Sequence, residues 1–329
     1  MFGVLLLALS TTLAPQVTAP ERIAPLIPAQ HFRPVTIPFE YFNRHIFVKL
    51  TLNGAPGMVF MLDSGANSNV LNMRTSGALG LKPVSIQRAK GLGLGSGKVP
   101  VAAATDIDAR IGGIQVANVM AIVDLQGWED NFGHREDGIL GFPFLQKFVV
   151  VVDFDSHELM LMPSKRFSYR GGGRTIYVHR KSISASIPVT LAIHGRFPQQ
   201  ATVDVDTGSD VTLLLYPRYV QGAQLGTVFS NKANVQGYGL GGYFQMQLGL
   251  LESFLMGSIE AKDLAVFRLD DQPAVVNKDC VGVIGNSLLE QFHRVVFDLP
   301  GNRIIFEIRP PKSIPVNQPA AWLAPPSFP

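Results

Sequence analysis

Between residues 49 and 71 the chain reads KLTLNGAPGMVFMLDSGANSNVL, in which apolar and polar side chains alternate on both sides of Asn53-Gly54. Alternation sets every second side chain on one face of a strand, and Asn-Gly between two such runs signals a hairpin. The segment therefore predicts two antiparallel strands, the second ending at Asp63. Residues 188–214, PVTLAIHGRFPQQATVDVDTGSDVTLL, predict the same unit, turning at His194-Gly195 and running through Asp204 and Asp206. A glycine-rich stretch follows each hairpin, GLGLG at 91–95 and GYGLG at 237–241. The second continues into YFQMQLGLL, whose alternation predicts another strand. Each series closes on an apolar run, DGILGFPFLQKFVVVVDFD at 137–155 and VGVIGNSLLEQFHRVVFDL at 281–299.

These landmarks recur at nearly constant separation. The offset is 143 positions between Asp63 and Asp206, 146 between the glycine stretches, and 144 between the apolar-apolar-Gly triplets at 139–141 and 283–285. A near-constant offset over separate landmarks marks one unit written twice. The expected organisation is a first lobe over 35–163, a basic glycine-rich linker over 164–174 and a second lobe over 175–308. Alternating patterns, frequent glycines and only short helical stretches make both lobes predominantly β.

The duplication separates the two carboxylates of the second copy. Asp206 aligns with Asp63, whereas Asp204 aligns with Met61, so only Asp206 has a twin. Each twinned Asp opens an Asp-Ser/Thr-Gly tripeptide, and each lies 78 or 79 residues before the glycine of its apolar-apolar-Gly triplet. A pseudo-two-fold axis between two like lobes brings equivalent strand-end loops face to face. Gly65 and Gly208 let two backbones approach and aim N–H groups at a carboxylate, and the hydroxyls of Ser64 and Thr207 can reach across to the opposite loop. The copies differ at the next position, Ala66 against Ser209, where a serine hydroxyl can donate to the neighbouring carboxylate.

With these elements the chain resembles the pepsin/retropepsin-type aspartic proteases, in a single-chain form with two retropepsin-sized lobes. The resemblance covers roughly 35–308 and rests on Asp63-Ser64-Gly65, Asp206-Thr207-Gly208, the two triplets and the two glycine stretches. It implies an all-β fold of two homologous β-barrel lobes related by a pseudo-two-fold axis, with short helices and a peptide-binding cleft between the lobes. It further implies that Asp63 and Asp206 share a proton and activate one water against a peptide carbonyl, with no cofactor and no metal. The expected protein is a monomeric aspartic endopeptidase acting on polypeptides. Ser64, Gly65, Thr207, Gly208 and Ser209 would support the active-site loops. Gly93, Gly95, Tyr238 and Gly239 would belong to hairpins covering the cleft. The lobes are shorter than pepsin's, and the first glycine stretch lacks the Tyr of pepsin-like flaps; Tyr238 stands in the second copy instead.

Composition adds little that competes. A net charge of +3 does not point to nucleic acid, and SKRFSYRGGGRTIYVHRK at 164–181, the one basic concentration, reads as an exposed linker. The single Cys280 allows no intramolecular disulfide and reads as a small core residue. The seven His show no metal spacing. GYGLGG at 237–242 meets a dinucleotide fingerprint on paper, but a strand follows it where a helix is needed. The apolar start, MFGVLLLALSTTLA, is too short to span a bilayer and reads as a signal sequence within 1–19, implying an exported, periplasmic or secreted protein. The Pro-rich tail over 309–329 reads as extended. The alternative function is a catalytically silent, protease-like peptide-binding module, for which a damaged Asp motif would be expected; both motifs are intact.

Overall fold

The computed structural model describes residues 2–3, 33–90, 94, 98–178, 184–229, 233–271, 273 and 277–309. Gly93, Gly95, the signal stretch apart from Phe2–Gly3 and the tail apart from Arg309 lie outside the described residues. The first predicted hairpin is His45–Leu52 with Ala55–Leu62. Its turn sets Asn53 and Gly54 at φ +48° and +84°, the two left-handed residues that a tight hairpin turn needs. The second is Ser186–Ala192 with Gln199–Val205, joined by a longer loop through His194-Gly195.

In the second half six strands close on themselves. The path runs from Gly242–Met256 to Ser186–Ala192, Gln199–Val205, Gly282–Ile284, Leu213–Leu215 and Ile259–Leu269, then back to Gly242–Met256. The first half follows the same path, with its two longest strands each broken in two. Lys98–Ala104 and Ala109–Ile111 stand where Gly242–Met256 does, and Ile114–Ala117 and Met120–Val123 where Ile259–Leu269 does. Closure removes unpaired edges and gives each half a filled interior. Helices are short, Gln126–Phe132 and Pro217–Gly222 among them. Among the described residues no helix is long and apolar enough to cross a membrane. Phe2–Gly3 pairs in parallel with Gly237–Tyr238.

A base sheet joins the halves, in the order Arg174–Tyr177, Arg303–Ile308, Phe292–Asp298, Val149–Asp153, Glu158–Met162, Val35–Phe42. Its central antiparallel pair sets Val151 opposite Val296 and Val152 opposite Val295. Shifting each residue by 144 positions exchanges these two pairs, and likewise exchanges Val150–Phe297 with Asp153–Arg294. The pairing is thus carried onto itself by the sequence repeat, and the pseudo-two-fold axis passes through its middle. Tyr41 and Arg44 add a second tie by bonding the two carboxylate oxygens of Glu290 at 2.8 and 3.1 Å.

The segment read as an exposed linker does more than connect. Phe167 and Tyr169 pack over Val149, Val151, Val296 and Ile305 on the outer face of the base sheet. The Tyr169 hydroxyl donates to Glu307 at 2.9 Å and accepts from the Gly173 N–H at 2.7 Å. Arg174, placed at the linker's end by its sequence, opens a strand of the sheet. The interior of the fold is one apolar cluster spanning both halves, with Phe148, Phe297 and Phe306 fully buried in it.

Phe297→Ala removes a buried ring beside the axis. The expected loss is about 3–5 kcal/mol of unfolding free energy, read as a lower denaturant midpoint with an unchanged slope in urea.

Candidate active site

Asp63 and Asp206 directly follow the second strand of their hairpins, and both are fully buried. The Asp63 N–H donates to Leu140 O at 3.0 Å and the Asp206 N–H to Ile284 O at 2.9 Å, so each loop is carried by its apolar-apolar-Gly strand. The loops are tied to each other by reciprocal bonds. The Ser64 N–H donates to Thr207 Oγ1 at 3.0 Å, and the Thr207 N–H donates to Ser64 Oγ at 2.9 Å. Each hydroxyl then donates onward across the axis, Ser64 Oγ to Val205 O at 2.6 Å and Thr207 Oγ1 to Leu62 O at 2.9 Å. The cross-loop bonding expected of Ser64 and Thr207 is present in both directions.

The glycines decide how close the carboxylates come. A Cβ on Gly65 would stand 2.6 Å from Asp206 Oδ1, and a Cβ on Gly208 would stand 2.3 Å from Asp63 Cγ. Each carboxylate therefore occupies the space that any other residue of the opposite loop would fill. Asp63 Oδ1 accepts N–H bonds from Gly65 and Ala66, both at 2.9 Å, and Asp206 Oδ1 accepts one from Gly208 at 2.9 Å. Oδ2 of both residues is buried and makes no hydrogen bond.

Two buried carboxylates this close cannot both ionise readily. Burial, and after it the charge of Asp206, pushes the Asp63 carboxyl well above the usual range. Burial also pushes Asp206 up, to about 7, opposed by the N–H of Gly208 and by Asp63. The pair titrates jointly. The donor bond that the Ala66/Ser209 difference suggested for Asp206 is not made. Ser209 Oγ is buried without a hydrogen-bond partner, while Asp206 Oδ1 is taken by the Gly208 N–H. Asp204, the untwinned carboxylate, sits in a shell of side-chain donors: its Oδ1 accepts from Ser184 and Ser186 at 2.5 and 2.6 Å.

Two residues that sequence reasoning passed over complete the second loop. Asn286 Nδ2 donates to both Thr207 O and Arg44 O, at 2.7 and 2.6 Å, clamping the loop to the first lobe. Its twin after the triplet is Phe142, so the copy difference was a visible signal. His45 is fully buried with Nε2 3.2 Å from Gly208 O and Nδ1 2.8 Å from Asn43 O; nothing in its sequence context marks it.

Tyr238 and Gly239 end the strand Ala233–Gly239, which turns back into Gly242–Met256. The turn crosses to the first lobe. The Tyr238 ring stacks over that of Trp128 at an interplanar angle of 29° with centroids 6.4 Å apart, and Leu240 packs against the cluster that holds Trp128, Ala66 and Ile139. Tyr243, the cross-strand partner of Tyr238, donates its hydroxyl to Asn131 Oδ1 at 2.5 Å. In the opposite direction Leu94, 2% exposed, packs among Val211, Leu214 and Tyr216 of the second lobe, and its carbonyl accepts from the Gly241 N–H at 2.9 Å.

Two like β-barrel lobes on a shared base, each offering an Asp-Ser/Thr-Gly loop to the axis, are the architecture of the pepsin/retropepsin-type aspartic proteases. Residues 48–144 match the family model described as aspartyl protease. The crystal structure of the aspartic proteinase from Irpex lacteus superposes with a TM-score of 0.52 at 12% identity, covering 84% of this chain and 97% of that one. No curated protein matches the sequence.

Two outcomes follow. Thr207→Val leaves the Ser64 N–H and Leu62 O without partners inside the protein, costing about 1–3 kcal/mol for each, whereas Thr207→Ser keeps both bonds; equilibrium unfolding compares them. Asp63→Asn removes a carboxyl whose folded pKa is raised. Below the unfolded value, about 4, the acid is protonated in both states and costs nothing; as pH rises from there toward the folded value, the unfolded state alone loses its proton and the wild type loses stability. Asp63→Asn is therefore expected to melt higher than wild type near neutral pH, with the gain shrinking toward pH 4 in a series of thermal melts.

Proposed function

We propose that the protein is an aspartic endopeptidase that hydrolyses peptide bonds with water activated between Asp63 and Asp206. The observation that carries this reading is the arrangement of the pair. Each carboxylate has one oxygen tied down by main-chain N–H groups and one buried oxygen that no such group holds, and the raised pKa of both favours one proton shared between them. In the reaction the ionised member takes a proton from water as the water oxygen bonds to the carbonyl carbon. The protonated member gives its proton to the carbonyl oxygen. Collapse of the resulting diol breaks the C–N bond, with one proton passing to the leaving amine and the other restoring the pair. Burial strengthens each of these electrostatic steps relative to water.

The hairpin carrying Tyr238 and Gly239 fits the part of a cover. Its contacts to Trp128 and Asn131 lie across the cleft from its own lobe, so a polypeptide can enter once they open. The apolar start of the chain supports export as the place of action. A statine-type transition-state analogue separates this reading from a silent peptide-binding module, since tight binding of the analogue needs the intact pair.

Asp63→Asn and Asp206→Asn are each expected to reduce peptide hydrolysis by more than a thousandfold while the fold persists by circular dichroism, because a pair acting as a unit retains no half activity. Digestion of a proteome-derived peptide library by wild type and variants measures this. Activity of either variant within tenfold of wild type would overturn the mechanism.

A further inference from the structure

Asp204 lies two residues before Asp206 on the strand Gln199–Val205 and is only 3% exposed. Four described side chains donate to its Oδ1. The hydroxyls of Ser184 and Ser186 donate at 2.5 and 2.6 Å, the Cys280 thiol at 3.2 Å and Asn277 Nδ2 at 3.3 Å. Asn277 also donates to both serine hydroxyls, at 3.1 and 3.0 Å, which orients their protons toward the carboxylate. Converging donors of this kind are what a charged carboxylate binds. In the first lobe the equivalent position is Met61, fully buried and neutral, so the shell has no counterpart beside Asp63.

We infer that Asp204 is a positioning residue of the proposed dyad, a built-in negative charge that opposes ionisation of Asp206 and so moves the pH range of catalysis upward. Asp204 precedes Asp206 by two residues of extended chain, which sets their backbones about 7 Å apart. At that distance two carboxylates in a partly polar interior interact strongly enough to move a titration by roughly one pH unit or more. The other groups around the second loop do not supply such a charge. Asp63 is the partner itself. Tyr216 and Cys280 sit against Asp204 with their acid groups pushed up, foremost by burial, and stay neutral in the working range. His45 meets the loop at the Gly208 carbonyl, on the first-lobe side. Asp210 lies four residues further along, where its main chain accepts from Ser287. The Asp204 charge is itself one of the influences raising Asp206, after burial. This inference rests on the peptidase reading, yet it predicts a titration that can be seen without turnover.

The experiment has two arms. In the first, kcat/KM is measured against pH for wild type and Asp204→Asn, whose amide oxygen still accepts from the serines. Both limbs are expected to move to lower pH by roughly one unit, with the rate at the new optimum within about threefold of wild type. In the second arm, 13C-carboxyl NMR of aspartate-labelled protein follows the dyad directly. The Asp63 and Asp206 signals should titrate at lower pH in Asp204→Asn. In the wild type the Asp204 signal should stay that of an ionised carboxylate throughout the range in which the dyad titrates. Unmoved or upward-moving dyad titrations overturn the inference, and so does an Asp204 that takes up its proton before the dyad as pH falls. The wild-type spectrum decides this last point even if Asp204→Asn fails to fold. A shifted NMR titration in a protein without peptidase activity would leave the inference standing and defeat the peptidase reading instead.

Discussion

The structure depends on four hydrogen bonds between Ser64 and Thr207 and the main chains they face. Each hydroxyl accepts the N–H of the other's residue and donates to a carbonyl of the other's strand. No water reaches these groups, so each main-chain N–H and carbonyl must find its partner in the opposite lobe or remain unsatisfied. The lobes are thereby fixed at their loops as well as at the base sheet, and a small rotation of one against the other would break bonds at both places. Only on a joint held this tightly can two carboxylates be kept fully buried and close to each other.

Holding them there works against stability. Burial raises both acids, and the charge of Asp206 raises Asp63 further, so the loops must supply compensation. They do so with main-chain N–H groups on one oxygen of each acid and with glycines that leave room for the opposite carboxylate. The remaining oxygens receive no main-chain donor, which is unfavourable for the folded protein unless the two acids share a proton.

Much of this was legible in the sequence because duplication supplies an internal comparison. The offset near 144 identified Asp63 and Asp206, set Asp204 aside and located both triplets, and the base-sheet register repeats the same offset. What stayed illegible is what duplication cannot report. His45 is joined to the second loop through a turn of the first lobe, and no periodicity announces such a long-range contact. Phe167 and Tyr169 were hidden in a stretch whose charges and glycines suggested solvent, yet two aromatic rings suffice to cover one face of the base sheet. The role sought for Ser209 failed: its buried hydroxyl makes no hydrogen bond, and it is the Gly208 main-chain N–H that holds Asp206 Oδ1.

Three departures from symmetry share a direction. Asp204 in place of Met61, Asn286 in place of Phe142 and Tyr238 in place of Leu92 all put polar groups on the second copy. Asn286 clamps the second loop to the first lobe, Asp204 lies behind that loop, and Tyr238 reaches over the cleft from the second lobe. A pair of acids on a true two-fold axis would have no means of deciding which member keeps the proton. Here the first copy supplies Asp63 with an apolar backing and two N–H donors, and the second copy concentrates its polar side chains around Asp206. One chain carrying both copies can let them diverge, and the divergence falls where it makes two chemically identical side chains unequal.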